Sequence, residues 1–252
     1  MSGVPLLVSR PAGGGPAPLV LLSHGFSRSK EDWLEHFGQL AAMGYVAVAM
    51  DNRFHGERPG PGFSALLPEG TPDLPRMLRS MLETADDMSL LIDHFCRDEA
   101  IDPDKIAVVG ASTGGFISFA AFVNDPRIKV AASIIASPLW GDIPDLDATA
   151  RADLIDEFPA LNESSRNESI PPRALLMQIG AEDAQCDGAQ IERFCEELRE
   201  LYGNQAERLR LIVHPRWGCG LQETLAKLAP DIKHFQQDLA HDRAGFGNIR
   251  GG

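Results

Sequence analysis

Few cysteines, few tyrosines and no long apolar stretch mark this chain. It has four cysteines and two tyrosines in 252 residues, and no run approaches the roughly 18 to 20 apolar residues that a membrane helix needs. Cys96, Cys186, Cys195 and Cys219 are scattered, with neither a Cys-x-x-Cys pair nor a Cys/His cluster. That spacing argues against a zinc site and against a disulfide framework. Reduced thiols, together with an opening at Met1–Arg10 that reads as no secretory signal, predict a cytoplasmic protein. Basic residues are also in deficit: 23 Lys and Arg face 36 Asp and Glu, a net charge of -13. Such a surface repels phosphate backbones, so nucleic acid is not an expected partner and a small neutral or apolar molecule is. The glycine-rich fingerprint of a dinucleotide site is missing, and no organic cofactor or metal is expected. Oligomeric state leaves no mark in the sequence.

What is present is an alternation of short, β-branched apolar runs with longer amphipathic segments, the pattern of βαβ units in a mostly parallel sheet. Strands are predicted at Leu19–Ser23, Tyr45–Met50, Ile106–Val109, Val130–Ile135, Ala174–Ile179 and Leu209–His214, with Val4–Ser9 as an antiparallel edge strand. Helices follow from the 3.6-residue period. Ser29 and Asp32 suggest an N-terminal cap for a helix with Trp33, Phe37, Leu40 and Ala41 on one face, ending at Gly44. Further stripes are Met88, Leu91 and Phe95; Ile191, Phe194, Leu198 and Leu201; and Leu225, Leu228, Ile232, Phe235 and Leu239. Residues 56–76 and 137–172 break the alternation and are expected as lid or pocket-wall insertions in a domain spanning 1–241. Residues 242–252 read as a frayed tail.

The chemistry is concentrated in Gly110-Ala-Ser112-Thr-Gly114, a G-x-S-x-G sequence placed after an apolar strand and before an apolar helix. Small residues flanking the serine permit a turn tight enough to hold its hydroxyl above the sheet, over the amides of the following helix. Together with Ser23–Glu31, Asp51–Arg58 and Gly180–Asp183, this elbow resembles the α/β-hydrolase superfamily. More narrowly, these runs are similar to its dienelactone-hydrolase-like and prolyl-oligopeptidase-like serine esterases.

The resemblance implies a three-layer α/β-hydrolase fold with helices on both faces of the sheet, and a carboxylesterase acting on small acyl esters or lactones. It places the nucleophile at Ser112, the oxyanion-hole amides at Phe26 and Thr113, and the carboxylate at Asp183, with Glu182 and Asp187 as nearby alternatives. The departure lies at the base. Where such esterases carry histidine after the last strand, this chain reads Trp217-Gly-Cys-Gly-Leu221-Gln-Glu-Thr224, so Leu221 occupies the expected histidine position. A leucine accepts no proton, which predicts an inactive or impaired enzyme. His214, His55 and His24 are candidates for a substitute base or for the pocket, His24 and His55 reading more readily as loop braces or pocket lining. A lyase, cyclase or isomerase on the same scaffold, or a silent small-ligand-binding protein, stays open.

Overall fold

In the computed structural model, the described residues are 3–138, 146–158, 167–183 and 186–215. Seven strands form one sheet in the order β1-β3-β2-β4-β5-β6-β7. They are β1 (Leu6–Ser9), β2 (Ala17–Ser23), β3 (Val46–Met50), β4 (Ile101–Ala111), β5 (Ile128–Ile134), β6 (Ala174–Gly180) and β7 (Leu209–His214). Among these described strands only β1 runs antiparallel, and it pairs with β3 rather than with the next strand in sequence. The other five pairings are parallel.

The helices are α1 (Leu34–Ala42), α2 (Leu74–Phe95), α3 (Thr113–Asn124), α4 (Ala148–Glu157) and α5 (Gly188–Tyr202). Strand alternation sorts the core into two layers. Leu19, Leu21, Val46, Val48 and Val108 pack with α2, α3 and α5 on one face. Val20, Leu22, Ala47, Ala49 and Val109 pack with Trp33, Phe37 and Leu40 on the other. This is the three-layer arrangement expected from the sequence. From β2 the chain steps to β3 on one side, then crosses back to β4 on the other. The ends of β2 and β4 therefore flank the point where strand order reverses, where open α/β sheets bind ligands.

Several local expectations are corrected. Ser29 precedes a 3₁₀ turn at Lys30–Trp33 and makes no capping hydrogen bond with its side chain, while Asp32 pairs with Arg28. Leu201 is 52% exposed and Tyr202 takes the buried position, because the 3.6-residue period drifts off the stripe by the fourth turn. The second helix begins at Leu74, inside the segment read as insertion. Asp73 caps it by accepting from the Arg76 amide, and proline falls in its first turn. The 137–172 stretch contains α4, seated on α2 through an Arg79–Glu157 ion pair and the buried Leu154 and Phe158. The apolar stripe from Leu225 to Leu239 and the 242–252 tail lie outside the described residues.

Gly38 sits inside α1, with nothing within 4 Å of the position its Cβ would take. Replacing it by alanine is expected to stabilise the fold by about 0.5 to 1 kcal/mol, since helical glycine carries an entropic cost and there is no collision to offset the gain. A denaturation midpoint shift at unchanged slope would report it.

Candidate active site

Strain gathers at one end of the sheet. Of the five non-glycine residues with positive φ among the described residues, four lie just beyond the carboxyl ends of neighbouring strands: Ser27 after β2, Phe54 after β3, Ser112 after β4 and Ile135 after β5. For a branched or bulky side chain such angles are costly and persist only where the surroundings enforce them.

Ser112 has φ 54 and ψ -125 and immediately precedes α3. Its amide donates to the Ile134 carbonyl at 2.8 Å, and its own carbonyl accepts from the Gly115 and Phe116 amides at 2.7 and 3.1 Å. The glycines around it allow the approach. A Cβ on Gly110 would lie 2.0 Å from the Gly114 carbonyl oxygen, and one on Gly114 would lie 2.2 Å from the Ser23 carbonyl oxygen. The start of α3 is thus pressed against the end of β2 and the loop that carries Phe26. Thr113, the first residue of α3, is buried, at the end of the helix whose dipole favours negative charge.

The loop after β2 is clamped from β3. The Asn52 side chain donates to the His24 carbonyl at 2.8 Å and accepts the Ser23 hydroxyl at 2.8 Å, while the Asn52 amide donates to Nε2 of His24 at 3.0 Å. Because Nε2 accepts, the proton resides on Nδ1, which donates to the Gly25 carbonyl at 2.8 Å. Both ring nitrogens of His24 are committed, leaving no lone pair for a reacting hydroxyl.

Asp51, fully buried, accepts the Lys30 amide and ammonium and the Glu57 amide, each at 2.9 Å. Burial alone would lower the Lys30 pKa, but the carboxylates of Glu57, Asp51 and Glu31 outweigh it and hold the ammonium charged. Neither Lys30, Asp51 nor Asn52 had been assigned a role from the sequence. A charged residue next to an apolar strand reads as solvated until the fold shows it enclosed.

Burial drives the His24 pKa down to about 4 from 6.5. The folded state keeps this ring neutral, whereas the unfolded chain takes up a proton below pH 6.5. The stability is therefore present above pH 6.5 and lost as pH falls toward 4, by on the order of 2 to 3 kcal/mol for this group. Replacing His24 with glutamine is expected to flatten that part of the stability-versus-pH curve, measured by urea denaturation at pH 7, 5.5 and 4.5. An unchanged slope would assign the acid sensitivity elsewhere.

Asp183 follows β6; its amide donates to the Gly180 carbonyl at 3.2 Å, and its Oδ1 accepts from the Cys186 amide at 3.2 Å. The two alternatives differ. Glu182 is exposed, and Asp187 caps α5 by accepting from the Ala189 and Gln190 amides. His214 ends β7 in register with Gly180, its Nε2 lying 3.0 Å from Oε1 of the buried Gln178. His36 is buried against Trp33 with ring centroids 5.5 Å apart. The Leu221 and Cys219 positions lie outside the described residues.

Ser112 and Thr113, Phe26 and Asp183 thus come from three segments that meet the same end of the sheet, an arrangement suited to acyl transfer through a serine. Among the described residues, no group of three His, Cys, Asp or Glu could hold a metal ion, and no helix is long and apolar enough to cross a membrane. Cys96, Cys186 and Cys195 form no disulfide.

The strand order and the layers are those of an α/β-hydrolase fold. Comparison with known proteins places it further: residues 14–158 match the family described as serine aminopeptidase, S33, and the chain belongs to that family. It is a hydrolase by ancestry. YitV of Bacillus subtilis (strain 168), whose name gives it provisionally as an esterase, is 26% identical over 228 residues, covering 84% of this chain and 87% of that protein. Chlorophyllase type 0 of Chenopodium album is 24% identical over 202 residues, 78% of this chain and 54% of its own length. Among solved structures, TT1662 from Thermus thermophilus superposes with a TM-score of 0.70 at 24% identity, covering 94% of this chain and 92% of that one. That likeness speaks for the fold.

Proposed function

We propose that this chain is a serine carboxylesterase-type acyl hydrolase for a small ester or lactone, with its proton shuttle impaired at Leu221. The observation that carries the reading is the strained backbone of Ser112, φ 54 and ψ -125, between β4 and α3. Such strain at a serine is retained where the hydroxyl must stand clear of the sheet. In the proposed step, Oγ of Ser112 bonds to the ester carbonyl carbon and the carbonyl π electrons move to its oxygen. The amides of Phe26 and Thr113 receive that oxyanion. Collapse of the intermediate expels the alcohol, and water later releases the acid. With Leu221 in place of the base that Asp183 would orient, the serine proton passes to solvent water and the departing alkoxide takes one from it, which makes each proton transfer slow. An acyl-enzyme, once formed, is therefore long-lived.

A second reading, non-hydrolytic chemistry or ligand binding in the same pocket, is favoured by one observation: both nitrogens of His24 are already committed. A fluorophosphonate probe separates the two. The esterase reading expects slow, stoichiometric labelling on the peptide containing Ser112, absent in Ser112→Ala. No labelling after prolonged incubation at high probe concentration would favour the second.

A further inference from the structure

An aromatic cluster stands beside the loop that carries Phe26. The Phe26 ring lies 4.6 Å from Phe63 and 5.7 Å from His55, and His55 lies 5.2 Å from Phe63, all centroid to centroid and inclined by 60 to 69°. Phe63 belongs to the 56–76 stretch, so that segment reaches back to the end of β2. These are the inclined, edge-to-face arrangements that aromatic rings favour over a face-to-face sandwich.

Within the cluster one polar atom is unsatisfied. His55 is 4% exposed, and Nε2 of its ring is buried with no hydrogen-bond partner. Nδ1 lies 2.8 Å from the Arg53 carbonyl, and a carbonyl only accepts, so Nδ1 carries the proton and Nε2 presents a bare lone pair. Burial also depresses the His55 pKa, which keeps that lone pair open. A buried acceptor without a donor is costly and calls for an account.

Phe63, which covers this side, is only partly buried. It follows Gly60 (φ 134) and Gly62 (φ 74), both with open space around the Cβ position. No packed neighbour at either glycine opposes a change of backbone angle there.

We propose that Phe26 and His55 form a ring-binding subsite, closed in this structure by Phe63, for an aromatic ester bearing a ring hydroxyl, the hydroxyl donating to Nε2 of His55. The incoming ring takes the place of Phe63 against Phe26 and satisfies the stranded acceptor. This rests on the esterase reading of Ser112 and Phe26.

The test is titration of the full chain with methyl 3- and 4-hydroxybenzoate and with the corresponding methoxybenzoates. At least one hydroxy ester should bind about tenfold more tightly than its methoxy counterpart. The preference should fall to within about twofold in His55→Phe. In the parent chain labelled with ¹⁵N-histidine, the same ligand should shift the Nε2 resonance of His55, a readout that does not depend on the variant folding. No binding, equal binding of each pair, or an unmoved Nε2 resonance overturns the subsite.

Ser112→Ala separates this outcome from the broader reading. A preference that survives with no serine labelling in the parent chain sinks the esterase assignment alone. Labelling without a preference sinks the subsite alone.

Discussion

Leu221→His is expected to raise p-nitrophenyl acetate turnover by at least about a thousandfold, with the gain abolished when Ser112→Ala is added. Loss of one triad member generally costs on the order of 10⁴ to 10⁶ in turnover, leaving what binding and the oxyanion hole supply. A single restored imidazole recovers a large part of that only if the remaining apparatus is intact. The expectation thus depends on Asp183 and on the amides of Phe26 and Thr113 as much as on position 221. Acyl chains from acetate to octanoate should be compared, because the gain belongs to proton transfer and should appear across the series, while KM follows the pocket. If parent and variant are equally inert on every ester, the reaction is not ester hydrolysis. If both turn over alike, the base lies elsewhere in the chain.

Gly114→Ala is expected to lower stability by more than about 3 kcal/mol. Its Cβ would come within 2.2 to 2.7 Å of three backbone atoms of Ser23 and His24. None belongs to a side chain that could rotate away. Inserting one carbon into a packed site usually costs about 1 to 3 kcal/mol, and more where the neighbours are fixed. For a chain of this size each kcal/mol corresponds to roughly 2 to 4 °C in melting temperature, so a fall of about 6 °C or more should be seen. The collision separates α3 from the end of β2, so serine labelling should be lost at temperatures where the variant is still folded. Retained melting temperature and labelling would mean that the two elements are not in contact in solution.

The strands and the elbow were legible because periodicity and glycine spacing are local. Leu209–His214 agrees in both bounds with the observed β7, and the turn at Ser112 follows from small residues at positions 110 and 114. What stayed hidden was what other segments contribute. Asp51 and Asn52 hold the Phe26 loop across 21 to 29 residues of sequence. A lysine at position 30 becomes a buried partner only because β2 and β3 lie side by side. Phe63 was read merely as part of an insertion, since nothing local ties it to Phe26. The α2 start was missed for a different reason: Asp73 and a nearby proline form a start signal that the surrounding proline and glycine obscured.

The loops at the ends of β2 and β3 share one set of hydrogen bonds, and the turn after β4 abuts the first of them, where Gly114 lies against the backbone of Ser23 and His24. None can be redrawn without the others, so inherited variation there must come as matched changes or not at all. The glycine-flanked segment bearing Phe63 sits outside that bargain, with open space around Gly60 and Gly62. Replacing Gly60 or Gly62 would leave the hydrogen bonds that join the loops after β2 and β3 untouched, whereas Leu66 further along is buried and its carbonyl accepts from the Asp73 amide, so tolerance to change should end before it.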